Sequence, residues 1–140
     1  MVAHGTIAFD TLTTSDQVKS GTEKSIDTSY VFNGVAKATC TFNGTASGAT
    51  VRDSFNQSST DDDAVGQYGV NFTSAMSSTE FTTTGSNIGD SSSTTRTGGL
   101  VAALSANTSS SINFASVETE GSISYTDWTY INTVVHGDLA

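Results

Sequence analysis

Apolar and polar positions alternate with a period of two along much of this chain, in short runs broken by Gly, Asn and Ser. In "VAKATCTF", Ala36, Ala38, Cys40 and Phe42 fall on one side and Lys37, Thr39 and Thr41 on the other. In "GQYGVNF", Tyr68, Val70 and Phe72 alternate with Gly69 and Asn71. "GTIAFDTL", "SYVFNG", "ATVRDSF", "TEFTTTG", "GLVAALSA", "SINFASVE", "GSISYTDW" and "TYINTVV" read as further strands. The total is about nine to eleven short strands at eight- to twelve-residue spacing, the pattern of an antiparallel sandwich. No run holds apolar residues at i, i+3, i+4 and i+7 for three turns, so almost no helix is expected. The best helical stretch, "TSDQVKSGTEKS", lacks an apolar stripe and contains Gly21, and reads as a polar connector.

Turn chemistry sets the expected connections. Asn33-Gly34 and Asn43-Gly44 are the dipeptides that favour tight hairpin turns. "DDDAVG" precedes the Tyr68 strand, and its three carboxylates, Asp61, Asp62 and Asp63, read as a solvated turn. "TGSNIGDSSSTTRTGG", Thr84 to Gly99, has Ile88 as its one apolar residue and reads as a long exposed loop. It separates two groups of strands, but neither group alone would bury a sufficient core. The expectation is one β domain over residues 1–140, with 1–25 as an attachment or connector segment. The fold class is all-β, an antiparallel sandwich of jelly-roll-like or immunoglobulin-like type. Phe9, Phe42, Val51, Phe55, Tyr68, Val70, Phe72, Phe81, Leu104, Phe114, Tyr125, Trp128, Tyr130 and Val134 are its core or subunit-interface candidates.

Composition narrows the function classes. The net charge is −9, and the few cations, Lys19, Lys24, Lys37, Arg52 and Arg96, are scattered. A nucleic-acid partner needs clustered cations to displace counterions, so none is expected, and anionic membrane surfaces are disfavoured for the same reason. No apolar run reaches the length of a membrane-spanning helix. "MVAHGTIAFD" has neither the basic region nor the apolar core of a secretory signal, which leads to an expectation of synthesis in the cytoplasm. Without a secretory signal, the four N-x-[ST] sequons at Asn43, Asn56, Asn71 and Asn107 carry no weight. Proline is absent, and Ser and Thr together make about a third of the residues, far above globular usage. With 35% hydrophobic residues and aromatics along the whole length, this is a Thr-rich β protein with polar loops rather than a disordered chain.

Candidate chemistry is thin. A calcium loop of the EF-hand kind needs oxygen ligands at alternate positions and Glu at the twelfth. Counted from Asp61, the fifth position is Val65 and the twelfth is Phe72. The triplet therefore stands as solvated carboxylate, with an adventitious cation as the other reading. Glu118, Glu120 and Asp127 carry no glycosidase signature, and no G-x-S-x-G is present. His4 and His136 lie near the chain ends, poor material for a triad or a zinc site. The single Cys40 reads as a small buried hydrophobe. Neither catalytic, metal nor cofactor residues are assigned. Trp128 and Tyr130 are two apart, so on a strand they share a face, which is read as core with sugar stacking as the alternative.

One stretch is familiar. "SFNQSSTDDDAVGQYGVNFTSAM", Ser54 to Met76, resembles a segment of small tail-fibre and other virion proteins of marine tailed phages, in particular those of cyanobacteria. The pattern runs S-F-N-x-S-S, an Asp-bearing turn often D-x-G-T-G, Y-x-V-x-F, then A-M. Ser54, Phe55, Asn56, Ser58, Ser59, Asp61, Gly66, Tyr68, Val70, Phe72, Ala75 and Met76 match, while "DDDAVG" departs at the turn. "GTIAFDTLTTSD" and "VVHGDLA" resemble the two ends of such proteins, and residues 77 to 125 lie outside the resemblance.

The resemblance implies a virion structural protein and not an enzyme: a tail-fibre or spike component contacting the host surface. A capsid decoration protein is the alternative, and a polysaccharide depolymerase is third. It implies a homotrimer, as phage fibres commonly are, docked through "TIAFDTL" onto other virion proteins, with a host surface glycan as a further partner. Host contact is expected on the long loop, with Asn87, Asp90 and Arg96 as its candidates and Trp128 and Tyr130 beside them.

Overall fold

The computed structural model describes residues 11–13, 25–88, 98–102, 107–119 and 122–140. The chain divides into two compact units, Met1–Val35 and Ala36–Ala140. Phe9, Leu104, Asp90, Arg96 and most of the polar connector 14–25 lie outside the described residues.

In the first unit, β1 (Thr11–Thr13) pairs antiparallel with β2 (Ser25–Asp27), Leu12 opposite Ile26. A seven-residue helix, α1 (Thr28–Gly34), follows. It occupies "SYVFNG", which the apolar pattern assigned to a strand. Val31 and the aromatics favour strands, but Asp27 stands where helices prefer an N-cap. Val35 N–H donates to the Val31 carbonyl at 3.2 Å, continuing the helical pattern past Gly34. The Asn33-Gly34 pair thus closes a helix, not a hairpin.

The second unit is nearly all β, with two antiparallel sheets packed face to face. Its strands are β3 (Ala38–Asn43), β4 (Thr50–Phe55), β5 (Gln57–Ala64), β6 (Gln67–Phe72), β7 (Thr82–Ile88), β8 (Gly98–Ala102), β9 (Ser111–Glu118), β10 (Ser124–Tyr125) and β11 (Tyr130–His136). One sheet runs β4-β3-β11-β7. In the other, β5 pairs with β6 and β6 with β9, while β9 also pairs with β10 and β8. The period-two patterns of the central strands are realised. β3, β9 and β11 alternate buried and half-buried positions, and β6 buries Tyr68, Val70 and Phe72.

The core lies between the sheets. Phe42, Tyr68 and Phe114 form its aromatic centre, with ring centroids 5.1 Å apart for Phe42–Tyr68 and 6.1 Å for Tyr68–Phe114. Ile112, Ile131, Val70, Val135, Met76 and Trp128 surround them. Truncating one of these rings to alanine costs about 3–5 kcal/mol in a packed core. Phe72 and Phe81 meet edge to face at 6.0 Å and extend the core toward Met76.

Four local expectations are corrected. Asn43-Gly44 does not make a two-residue turn: Asn43 pairs with Thr50 across a six-residue loop, 44–49. Asn43 Oδ1 instead accepts from Thr45 N–H at 3.1 Å and Thr45 Oγ1 at 2.8 Å, a local bond that competes with the tight turn. Asp61, Asp62 and Asp63 belong to strand β5, and the turn is Val65-Gly66. The Thr84–Gly99 loop is shorter than its composition implied, since β7 continues to Ile88 and β8 begins at Gly98. Polar residues on β7 and the glycines that open β8 disguised the two ends. Finally, Val51, Phe55, Tyr125 and Tyr130 are exposed and take no part in the core. β4 is an edge strand with all six residues exposed, so alternation there marks no inner face.

Cys40 is buried on β3. Burial, and secondarily the Asp53 charge, push its thiol from 9.0 up to about 11, so the thiolate is scarce at neutral pH. The native protein is expected to resist alkylation at pH 8 and to react at Cys40 once unfolded in urea, with mass spectrometry reading one adduct.

Candidate functional site

The outer face of the β4-β3-β11-β7 sheet carries the arrangement best suited to contact. Register fixes which side chains share it. Asn132 on β11 stands opposite Thr41 on β3 and Ser86 on β7. Thr41 Oγ1 donates to Asn132 Oδ1 at 3.0 Å, and Asn132 Nδ2 donates to Ser86 Oγ at 3.2 Å. A ladder of neutral hydrogen-bonding groups therefore crosses three strands. At one end of it Tyr130 is paired with Ile88, and both are exposed.

A bulge brings the cation. Thr41 pairs with Asp53 but Phe42 with Val51, which leaves Arg52 as the extra residue on β4. A bulge re-aims the side chain it carries. The Arg52 guanidinium lies over the Tyr130 ring, 4.2 Å from its centroid, and Nη2 donates to the Thr129 carbonyl at 3.4 Å. Such a stack contributes about 0.5–1 kcal/mol at an exposed site and holds both side chains in place. The result is an outward face on which neutral Thr, Asn and Ser groups lie beside the Arg52–Tyr130 stack, with the Asp53 carboxylate opposite Thr41 and the exposed Phe55 ring opposite Thr39.

The expected site residues separate in the structure. Tyr130 is on this face. Trp128 is not: it lies before β11 starts, is 3% exposed and packs in the core, so the two-residue spacing does not place the pair on one face. Asn87 points between the sheets, where Nδ2 donates to the Gly99 carbonyl at 3.1 Å and Ser116 Oγ at 3.2 Å, tying β7 to β8 and β9. Asp90 and Arg96 lie outside the described residues. Arg52, Thr41, Asn132 and Ser86 were missed by sequence reasoning. The cross-strand partners of a ladder are invisible until register is known, and the bulge left no local mark.

The acidic triplet does not converge. Asp61 Oδ2 accepts from Asn71 Nδ2 at 2.8 Å, on the outer side of β5–β6. Asp62 Oδ2 accepts from Gly48 N–H at 3.3 Å, toward the β3–β4 loop. Asp63 falls in the bulge between Asp62 and Ala64. No cluster of three metal-ligating side chains occurs among the described residues. β5 ends its sheet, and an edge strand offers unpaired N–H and C=O groups to another chain. Three exposed charges and two register breaks on β5 oppose such pairing. Replacing Asp61, Asp62 and Asp63 together by Thr, which suits strands, should therefore increase self-association. Sedimentation velocity on the triple variant checks this, and a distribution identical to wild type at the highest soluble concentration would refute it.

A second network, inside the unit, was also hidden in the sequence. Asp127 Oδ1 accepts from Gly66 N–H at 2.6 Å and from the Tyr68 hydroxyl at 2.5 Å. Burial first, and then the bond to Asp127, raise the Tyr68 hydroxyl well above the ordinary tyrosine range. The hydroxyl also reaches the Gly44 carbonyl at 3.2 Å. A Cβ on Gly44 would stand 2.5 Å from that hydroxyl, so the glycine serves close approach rather than a turn. Asp127 thus joins the β3–β4 loop, the β5–β6 turn and the segment before β11.

No protein-family model, curated protein or solved structure matches this chain. No helix among the described residues is long and apolar enough to cross a membrane.

Proposed function

We propose that this protein is a structural component of a phage virion, of the tail-fibre or spike class, and that it works by surface contact with a host-cell glycan. The resemblance at Ser54–Met76 supports the virion assignment. That stretch forms the end of β4, all of β5 and β6, and the core residue Met76. The observation that carries the contact reading is the outer face of β4-β3-β11-β7. Its hydroxyl and amide groups can exchange hydrogen bonds with sugar hydroxyls, and the Arg52–Tyr130 pair supplies a fixed aromatic anchor. A sheet holds such groups with little entropy left to lose on binding. The net charge of −9 favours neutral glycans over acidic ones.

Two measurements test this. Immunogold labelling of purified particles, with a copy count, should place the protein on the tail in a few oligomers. Labelling of the capsid in tens to hundreds of copies would replace this reading by the decoration protein. Particles carrying Arg52→Ala and Tyr130→Ala should assemble normally and adsorb to host cells at least tenfold more slowly. Unchanged adsorption by such particles would remove the outer face as the contact surface.

A further inference from the structure

The two open sides of the sandwich are built differently. On one side lie the edge strands β4 and β5, which run into each other through Asn56. On the other lie β7, which ends its sheet, and β8, which pairs only with β9 among the described residues. Asn87 Nδ2 donates to the Gly99 carbonyl, so β7 and β8 lie against each other. An open edge strand invites pairing with another chain unless charge, proline or a bulge blocks it. The β4–β5 side is blocked. Arg52, Asp53, Asp61, Asp62 and Asp63 lie on it, and register breaks interrupt both strands. The β7–β8 side has none of these devices. "TTTGSNI" and "GGLVA" hold no charged residue and no proline, and their pairing with β11 and β9 runs without a break. In a chain of net charge −9, this is the side on which two copies approach without charged edge strands facing each other.

We propose that the β7–β8 side is a self-association surface, through which two copies of this chain join β7 to β7 antiparallel about a two-fold axis. A two-fold interface sets the same strand on both partners, and facing residues must share a side of the sheet. Centring the pair on Gly85 meets that condition and engages all seven residues of β7. Thr84 then faces Ser86 of the second copy, a pairing of hydroxyls that suits neighbouring strands, and Thr82 faces its Ile88. Thr82, Thr84, Gly85, Ser86 and Ile88 are all exposed in the single chain. The same axis brings the two β8 strands, with the exposed Val101, to the interface. The two four-stranded sheets become one sheet of eight. The contact is small against the roughly 1,200–2,000 Å² of stable complexes, so the dimer is weak, with a dissociation constant on the order of 100 µM. The pairing uses the edge of β7 and stands whether or not the outer face binds glycan.

Sedimentation equilibrium of the full chain, from about 10 µM to about 1 mM to bracket that constant, tests the pairing. A monomer–dimer equilibrium is expected. Thr84→Lys, which places a charge on the open edge, should weaken it at least tenfold while the urea midpoint stays near wild type. Thr50→Lys makes the same change of net charge on β4 and should leave the dimer intact. Amide hydrogen exchange gives a reading that needs no variant: β7 amides should exchange more slowly as concentration rises, and β4 and β5 amides should not. A monomer at the highest concentration, a trimer, equal weakening by the two Lys variants, or added protection on β4 or β5 instead of β7 would each overturn the proposal.

Discussion

Gly66→Ala should destabilise the second unit by about 3–5 kcal/mol, a large effect for a single added methyl. Gly66 sits at φ +65, in the left-handed region where an alanine costs about 1–2 kcal/mol. Space makes matters worse. A Cβ at Gly66 would stand 2.6 Å from both the Ser116 carbonyl oxygen and the Thr126 amide nitrogen. Both are backbone atoms, so neither can swing away like the end of a side chain. They are also engaged: Ser116 N–H donates to the Gly66 carbonyl at 2.7 Å, and Thr126 N–H donates to the Ser116 carbonyl at 3.0 Å. Relieving the overlap means pulling the β5–β6 turn off β9 and the Thr126 segment with it. Gly48→Ala is the control, because Gly48 has a similar φ of +77 but no atom within 4 Å of its Cβ position. Urea titrations of the two variants should differ by about 2–3 kcal/mol, which is the steric share of the Gly66 effect. Equal losses would mean that backbone conformation alone accounts for the glycine.

How much of this was legible beforehand depended on whether the information was local. Strand β9 is the clearest success: "SINFASVE" alternates, and Ile112 and Phe114 point into the core. "VAKATCTF" worked equally well for Ala38, Cys40 and Phe42, because β3 is central and has one dry face. The same logic failed on β4, where "ATVRDSF" shows two large hydrophobes and yet all six strand residues, Thr50–Phe55, are exposed. Alternation reports a buried face only where a second sheet covers it, and no pattern in a single strand says that it lies at an edge.

The carboxylates show the other limit. Asp61–Asp63 looked like a turn because Asp disfavours strands, but tertiary pairing with β6 overrode that preference and left the charges on an edge. Asp127, by contrast, has nothing around it in sequence to set it apart from Glu118 or Glu120. Its partners Gly66 and Tyr68 are 61 and 59 residues away. The outer-face ladder has the same character, since Thr41 and Asn132 lie 91 residues apart. Residues brought together by register across strands are not readable from one sequence, whereas the apolar face of a central strand is.

Removing Asp127 tests whether that long-range network holds the unit together. Asp127→Ala should cost about 2–4 kcal/mol, because it takes the acceptor from the Gly66 amide and from the buried Tyr68 hydroxyl together. The hydroxyl keeps only its longer bond to the Gly44 carbonyl. Tyr68→Phe should cost about 1–2 kcal/mol, since the ring packing with Phe42 and Phe114 survives and one hydrogen bond is lost. If the two side chains act through each other, the double variant should be more stable than the sum of the single losses by about 1 kcal/mol or more. Strict additivity would place the Asp127 effect at Gly66 alone. Alkaline pH gives a second readout. The Tyr68 hydroxyl is raised above its ordinary value of 10, so the folded state holds that proton more tightly than the unfolded chain does. Stability from this group is complete below pH 10 and falls as pH rises beyond it, while Cys40 adds a decline between 9 and about 11. Tyr68→Phe should therefore flatten the stability profile above pH 10 and leave the Cys40 part in place. A Tyr68→Phe profile that tracks wild type, offset by a constant, would show that the Tyr68 hydroxyl does not hold its proton against alkali in the native state.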